Sequence, residues 1–257
     1  MIVVALAAGT HDNGGSLSAA DAAALEVGLR LGDDVTAATV GPPAAERGVR
    51  EALASGARRG FRVDAPVGLR SDGVARALAT LCEGARWIVC GDASPHRGTG
   101  AVPAFLAAEL GIGQALGLVA VEPISGDSSR LRLTRRLDGG RREVLVASSP
   151  TVISVEGSVA RLRRASLPDQ LAAQRATIDV RRGPDGPVEQ PATVRAYRPR
   201  PRELAMPSGD ADHRIRQLTA AGVSTSRRLE TVILEPGEAA ARIVATLTVW
   251  GYLAGTS

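Results

Sequence analysis

Gly98-Thr99-Gly100-Ala101-Val102-Pro103 is the stretch best placed to meet a charged ligand. It follows an apolar run and opens a helical one. Backbone N–H groups at a helix N-terminus attract anions, and glycines let a phosphate approach closely. The spacing is not that of a P-loop, and no Lys follows. The same glycines equally serve an ordinary strand-to-helix turn. Other chemistry finds little support. His11, His96 and His213 lie far apart, so no metal site is expected. Cys82 and Cys90 make neither a C-x-x-C pair nor a disulfide framework. No Ser-His-Asp or Cys-His arrangement is visible, which speaks against nucleophilic catalysis.

The elements that must position this loop read as strands alternating with helices. Strands are predicted over 2–7, 35–40, 61–63, 87–91, 118–121 and 151–155, and helices over 18–31, 44–55, 72–83 and 102–110. Ser18 is placed to cap the first helix, with Asp21 three residues on. Asp138-Gly139-Gly140 lies between two apolar runs and reads as a hairpin turn, because Asp-Gly supplies positive φ at little steric cost. The alternation implies an α/β fold, a doubly wound parallel sheet with helices on both faces. Ligands of such sheets bind at the carboxyl ends of the strands. Those ends are the loops after Ala7, Val40 and Gly91.

The chain has 257 residues, enough for one α/β domain and an appendage. Aromatic residues make up only 2%, so Ala, Val, Leu and Ile must build the core. All 31 basic residues are Arg, a composition typical of GC-rich genomes, and the net charge of +4 is too small and scattered to point to nucleic acid. The apolar start has no cationic segment before it and is too short to span a bilayer, so a cytoplasmic protein is expected. Residues 1–155 are expected to form the core domain. Residues 161–202 carry ten Arg against four acids, with recurring Pro and Gly, and 156–230 is expected to be a loose arm. A strand over 231–234 and a helix over 238–249 should close the chain within 231–257, packing on the core or on a partner.

Several blocks, in order, resemble the electron transfer flavoprotein β-subunit family. Arg135-Arg136-Leu137-Asp138-Gly139-Gly140, then Glu143, then Pro150-Thr151-Val152-Ile153 is similar to its signature of a basic residue, D-G-G, an acid and P-x-V-[VI]. Thr99, Gly100, Val102 and Pro103 match T-G-Q-V-P, with Ala101 in place of Gln. Asp21, Ala24, Leu25, Glu26, Leu29 and Leu31 match the first helix, whose Asn-Pro-aromatic start is replaced by Ser18-Ala19-Ala20. Residues 35–42 resemble its strand-G-P element, and residues 50–59 its R-x-A-L-A-x-G-A-D-R, with Arg58 for the acid. The likeness runs over about residues 2–180 and again near 231–253.

The resemblance implies a divergent β-subunit-like half of a heterodimeric electron carrier, not an enzyme in itself. It implies AMP, or a second FAD, in this chain and FAD shared with an α-subunit partner. The nucleotide would lie among Ala5, Ala7, Ser18, Asp21, Val40, Gly41, Gly98, Thr99, Gly100, Ala101 and Val102. Leu167, within Arg164-Ala165-Ser166-Leu167, matches the leucine with which the family docks on a dehydrogenase. Arg136 stands where members carry a carboxylate near the subunit junction, and Ala7 where they carry Lys. The alternative is a stand-alone adenine-nucleotide-binding module without a redox role.

Overall fold

In the computed structural model, residues 1–8, 17–66, 68–94, 99–183, 209–220, 232–250 and 252 are described. The chain divides into two units, Met1–Thr193 and Val194–Ser257. The first unit is built on strands β1 (Ile2–Leu6), β2 (Val35–Gly41), β3 (Arg59–Asp64), β4 (Trp87–Gly91), β5 (Gly113–Ile124), β6 (Asp127–Arg136), β7 (Arg142–Ser148), β8 (Thr151–Val155) and β9 (Asp179–Arg182). They form one sheet in the order β7-β6-β5-β8-β4-β1-β2-β3-β9. From β5 through β8, β4, β1, β2 and β3 to β9 all pairings are parallel. The expected α/β sheet is therefore present, with one addition: β6 and β7 extend it antiparallel at one edge.

Local chemistry explains these elements. β1, β2 and β8 are buried along their whole length, as central parallel strands must be. Helices α1 (Ala19–Leu31) and α2 (Glu46–Ala54) cover one face, where Leu25, Val27 and Val49 meet Ile2, Val4, Val35 and Trp87. Helices α3 (Ser71–Cys82) and α4 (Val102–Leu110) cover the other, where Leu78, Leu81 and Leu106 meet Val3, Ala38, Ile88 and Val152. Odd and even positions of one strand thus feed two cores. The Asp138-Gly139-Gly140 turn joins β6 to β7, with φ of 70° and 74° at its two glycines.

The segment expected to be a loose arm is ordered and joined to the sheet as far as residue 183. Helix α5 (Leu167–Arg175) packs on α2, and β9 pairs in parallel with β3. Apolar and polar contacts share the holding: Ile178 joins the core with Val159, Ala160 and Leu162 packed against it, and Ala173 is buried. Arg50 donates to the carbonyls of Ala173, Gln174 and Ala176 at 3.0, 2.9 and 3.2 Å and so closes the C-terminus of α5. Arg181 lies over the Phe61 ring at 5.3 Å. Most of the Pro- and Gly-rich stretch lies outside the described residues.

The second unit contains helices α6 (Ala211–Ala220) and α7 (Pro236–Val249). The expected strand does not form over 232–234, which carries no regular structure, and residue 231 lies outside the described residues. Among the described residues, no helix is long and apolar enough to cross a membrane.

Candidate functional site

A cavity of about 290 Å³ opens at the carboxyl ends of β1, β2 and β4. β1 is where successive crossovers diverge to either side, the position at which open α/β sheets leave a crevice. Ala5, Leu6, Ala7 and Ala8 form its floor, Val40, Gly41, Pro42 and Ala44 one side, and Cys90, Gly91, Ala93 and Ser94 the other. Pro66, Leu69, Val74 and Leu78 add an apolar wall, and residues 99–103 close the opposite end.

Asp21 supplies the charge. Ser18 caps α1 by accepting from the Asp21 N–H at 3.0 Å, and its hydroxyl donates to Asp21 Oδ2 at 2.8 Å. The Ala7 N–H donates to Asp21 Oδ1 at 3.3 Å, so α1 grips the end of β1. Asp21 is only 4% exposed, yet it lines the cavity. Burial pushes its carboxyl up from 3.8 to about 6, against the opposing effect of the Ser18 and Ala7 bonds. Burial likewise pushes up the Cys90 thiol, with Cys82 and Asp21 adding to the effect. Both cysteines are therefore held as thiols, poor nucleophiles and poor metal ligands. Among the described residues, no His, Cys, Asp and Glu cluster suits a metal ion.

The loop before α4 is shaped by Gly100, whose φ is +55°. A Cβ there would run into the Asp92 carbonyl oxygen, so the close turn requires glycine. Among the described residues no side chain caps α4, whose first residues Val102 and Pro103 line the cavity. The volume is near the small end of small-molecule sites, roughly 300–1,000 Å³. An adenine nucleotide fits the donor set: apolar walls for a base, a carboxylate for hydroxyl or amine donors, and an uncapped helix start for a phosphate.

Of the residues expected to bind, Ala5, Ala7, Asp21, Val40, Gly41, Thr99, Gly100, Ala101 and Val102 all line this cavity. Ser18 stands behind it, acting through Asp21. Gly98 lies outside the described residues. Sequence reasoning missed the wall of Pro66, Leu69 and Leu78, and it missed Arg62. That buried guanidinium donates to the Gly41 carbonyl at 3.0 Å and to Glu46 at 3.0 Å, and it pairs with Asp64. It fixes the turn after β2. The available sign was an Arg between the apolar residues Phe61 and Val63 in the middle of a strand.

Two expected contact residues lie elsewhere. Leu167 is 68% exposed at the first position of α5, a helix and not a loop. Arg136 ends β6 and pairs with Glu156 at 3.3 Å. Glu156 in turn helps burial hold the Asp92 carboxyl above the usual carboxylate range.

Comparison with known proteins agrees with this geometry. Residues 5–185 match the family described as electron transfer flavoprotein domain. The chain is 32% identical to the protein FixA of Bradyrhizobium diazoefficiens over 165 residues, 61% of this chain and 57% of that protein. It is 31% identical to the electron transfer flavoprotein subunit beta of Mycobacterium bovis over 191 residues, 66% of this chain and 68% of that protein. The subunit beta of Mycobacterium leprae is 32% identical over 158 residues, 57% of this chain and 55% of that protein. The chain thus spans little more than half the length of the FixA and Mycobacterium leprae relatives. The match covers β2 to β9, the end of β1 and every lining residue of the cavity, and on that ground the chain belongs to the electron transfer flavoprotein family as a β-subunit-type member.

Proposed function

We propose that this chain is the β-type half of a two-subunit electron carrier. It holds an adenine nucleotide, AMP or FAD, in the cavity at the end of β1 and supports FAD in an α-type partner. Electrons pass from a dehydrogenase to that flavin and on to an acceptor. The observation that carries the reading is the convergence of Ala7, Asp21, Val40, Gly41 and residues 99–102 on one cavity. These residues come from four separate blocks of sequence. The flavin supplies the redox chemistry, while the chain supplies placement and exclusion of water. Gly41, steadied by Arg62, and Ala7, steadied by Asp21, are the fixed edges against which a base or ribose can rest.

Co-expression with an α-type subunit tests the proposal. The purified complex should show a flavin absorption spectrum, and denaturation should release AMP or FAD from the β-type chain. A colourless complex that releases only AMP would instead favour the stand-alone nucleotide-binding reading. Release of no nucleotide from repeated preparations would overturn both.

A further inference from the structure

The side of the cavity formed by Gly41, Pro42 and Ala44 runs directly into α2. A single turn of 3-10 helix, Pro43–Ala45, is all that lies between this rim and Glu46, the first residue of α2. A Cβ on Gly41 would come to 3.0 Å from Ala8 and 3.3 Å from Ala45, so the rim is packed tightly between the cavity floor and the start of α2.

Glu46 stands where the rim ends, and its two oxygens serve two arginines. Oε1 accepts from Arg62 Nε at 3.0 Å, and Oε2 accepts from Arg50 Nη2 at 3.4 Å. The arginines lead to different places. Arg62, whose side chain is only 7% exposed, donates from Nη1 to the Gly41 carbonyl on the rim itself. Arg50 donates from Nη1 to the carbonyls that end α5. An unbroken hydrogen-bonded path therefore runs from Gly41 through Arg62, Glu46 and Arg50 to α5. A second tie runs beside it. β3 carries Arg62 and Asp64 and pairs with β9, where Val180 and Arg182 stand opposite them. Within α5 only Ala173 is buried, while Leu167 and Leu171, four residues apart, are exposed. Among the described residues that line the cavity, none belongs to α5 and none is Arg50.

Resting on the nucleotide reading above, we propose that Glu46 is a positioning residue shared by two surfaces: it holds the cavity rim through Arg62 and the end of α5 through Arg50, so that a ligand on the rim steadies α5 and a protein docked on α5 tightens the ligand. A ligand that fixes residues 41–45 also fixes Glu46, and less rotamer freedom is then left for Arg50 to lose in reaching its three carbonyls. The effect is reciprocal, as any coupling between two binding events must be. Removing the Glu46 carboxylate separates the two surfaces, while Arg62 keeps the Gly41 carbonyl and Arg50 keeps α5.

Hydrogen exchange of the full chain, dialysed free of nucleotide, tests this with AMP and, separately, FAD. In the wild type a bound nucleotide should slow exchange at residues 40–45 and, about fivefold, at residues 167–176. In Glu46→Ala it should still protect 40–45, and 167–176 should no longer respond. Arg50→Met should bind the nucleotide about fivefold more weakly in calorimetric titration, although Arg50 does not line the cavity. If Glu46→Ala does not fold, Arg50→Met and the wild type decide, and unaltered affinity in Arg50→Met would overturn the proposal. Exchange at 167–176 that Glu46→Ala raises equally with and without nucleotide would mark a merely structural role and overturn it as well. Protection of 40–45 in the wild type with no change at 167–176 would overturn the coupling and leave the nucleotide reading intact. No protection of 40–45 by either nucleotide would overturn both.

Discussion

Glu26 and Arg163 stand 137 residues apart in sequence and are joined by three hydrogen bonds. The Arg163 N–H and Nε donate to Glu26 Oε2 at 3.2 and 3.0 Å, and Nη2 donates to Oε1 at 3.2 Å. Arg30, one turn further along α1, donates to Oε1 at 3.0 Å. Glu26 is buried, and these partners hold its carboxyl below the usual carboxylate range despite the burial. The pair ties the chain leaving β8 to the back of α1.

Replacing Glu26 with Gln should therefore loosen residues 156–166 without emptying the cavity. Half of the Arg163 side chain faces solvent, so the expected loss is modest, about 1–2 kcal/mol. Urea unfolding of both proteins measures it. The contribution of Glu26 is present above the pKa of an unfolded Glu and is lost as pH falls through its lower folded value. The difference between the two proteins should accordingly shrink in acid. A constant difference down to pH 3 would refute the ionic account.

Asp21 should act in the opposite sense. Its folded pKa is raised, so the native state binds a proton more readily than the unfolded chain. Stability conferred by the neutral form is present below pH 4 and is lost as pH rises through about 6. Asp21→Asn should thus be more stable than wild type at pH 7.5, by at most about 3 kcal/mol, and equal to it near pH 4. Melting temperatures across this range check the sign.

Arg50→Met should free the C-terminus of α5, since the carbonyls of Ala173, Gln174 and Ala176 all lose the Arg50 donor and Ala173 keeps only the Ala176 N–H. Faster hydrogen exchange confined to residues 167–183 is the expected outcome, with a stability loss of about 1–2 kcal/mol. Trypsin should then cut at Arg175, Arg181 or Arg182 earlier than in wild type.

Leu167→Ala tests docking. The side chain is largely exposed, so the melting temperature should stay within about half a kcal/mol equivalent of wild type. If Leu167 is an anchor for a dehydrogenase, reduction of the flavin by that enzyme should need roughly thirtyfold more carrier to reach the same rate. A lowered melting temperature with unchanged reduction kinetics would mean that the residue packs internally.

The legibility of this chain follows from where its signals are local. The Asp138-Gly139-Gly140 turn, the Ser18 cap and the apolar runs of β1, β2, β4 and β8 each carry their reason within a few residues. The cavity rim at Ala7, Val40 and residues 99–102 was readable for the same cause, as the carboxyl ends of recognisable strands. What was hidden depends on distant pairs. Nothing near Ala173 announces that Arg50 will close its helix, and nothing in the Arg-rich run 161–182 shows that Glu26 and β3 await it. The wall of Pro66 and Leu69 escaped notice because short apolar loops look alike in sequence whether they face solvent or a ligand.

The position of β8 bears on how the molecule assembles. It lies between β4 and β5, yet it is made only after the β5-β6-β7 meander has been completed. β9 reaches the opposite edge later still, beside β3. The lining residues of the cavity all precede residue 104, but the sheet behind them stays open until residue 155 and its far edge until residue 182. Such long-range pairing slows folding, because loop-closure entropy must be overcome before the contacts form. A nascent or truncated chain ending near residue 110 would carry every lining residue of the cavity on a sheet with β4 as an unpaired, fully apolar edge, the kind of surface that recruits other chains. The five residues Thr151–Val155, buried along their whole length, are what cover that edge of β4 in the finished sheet.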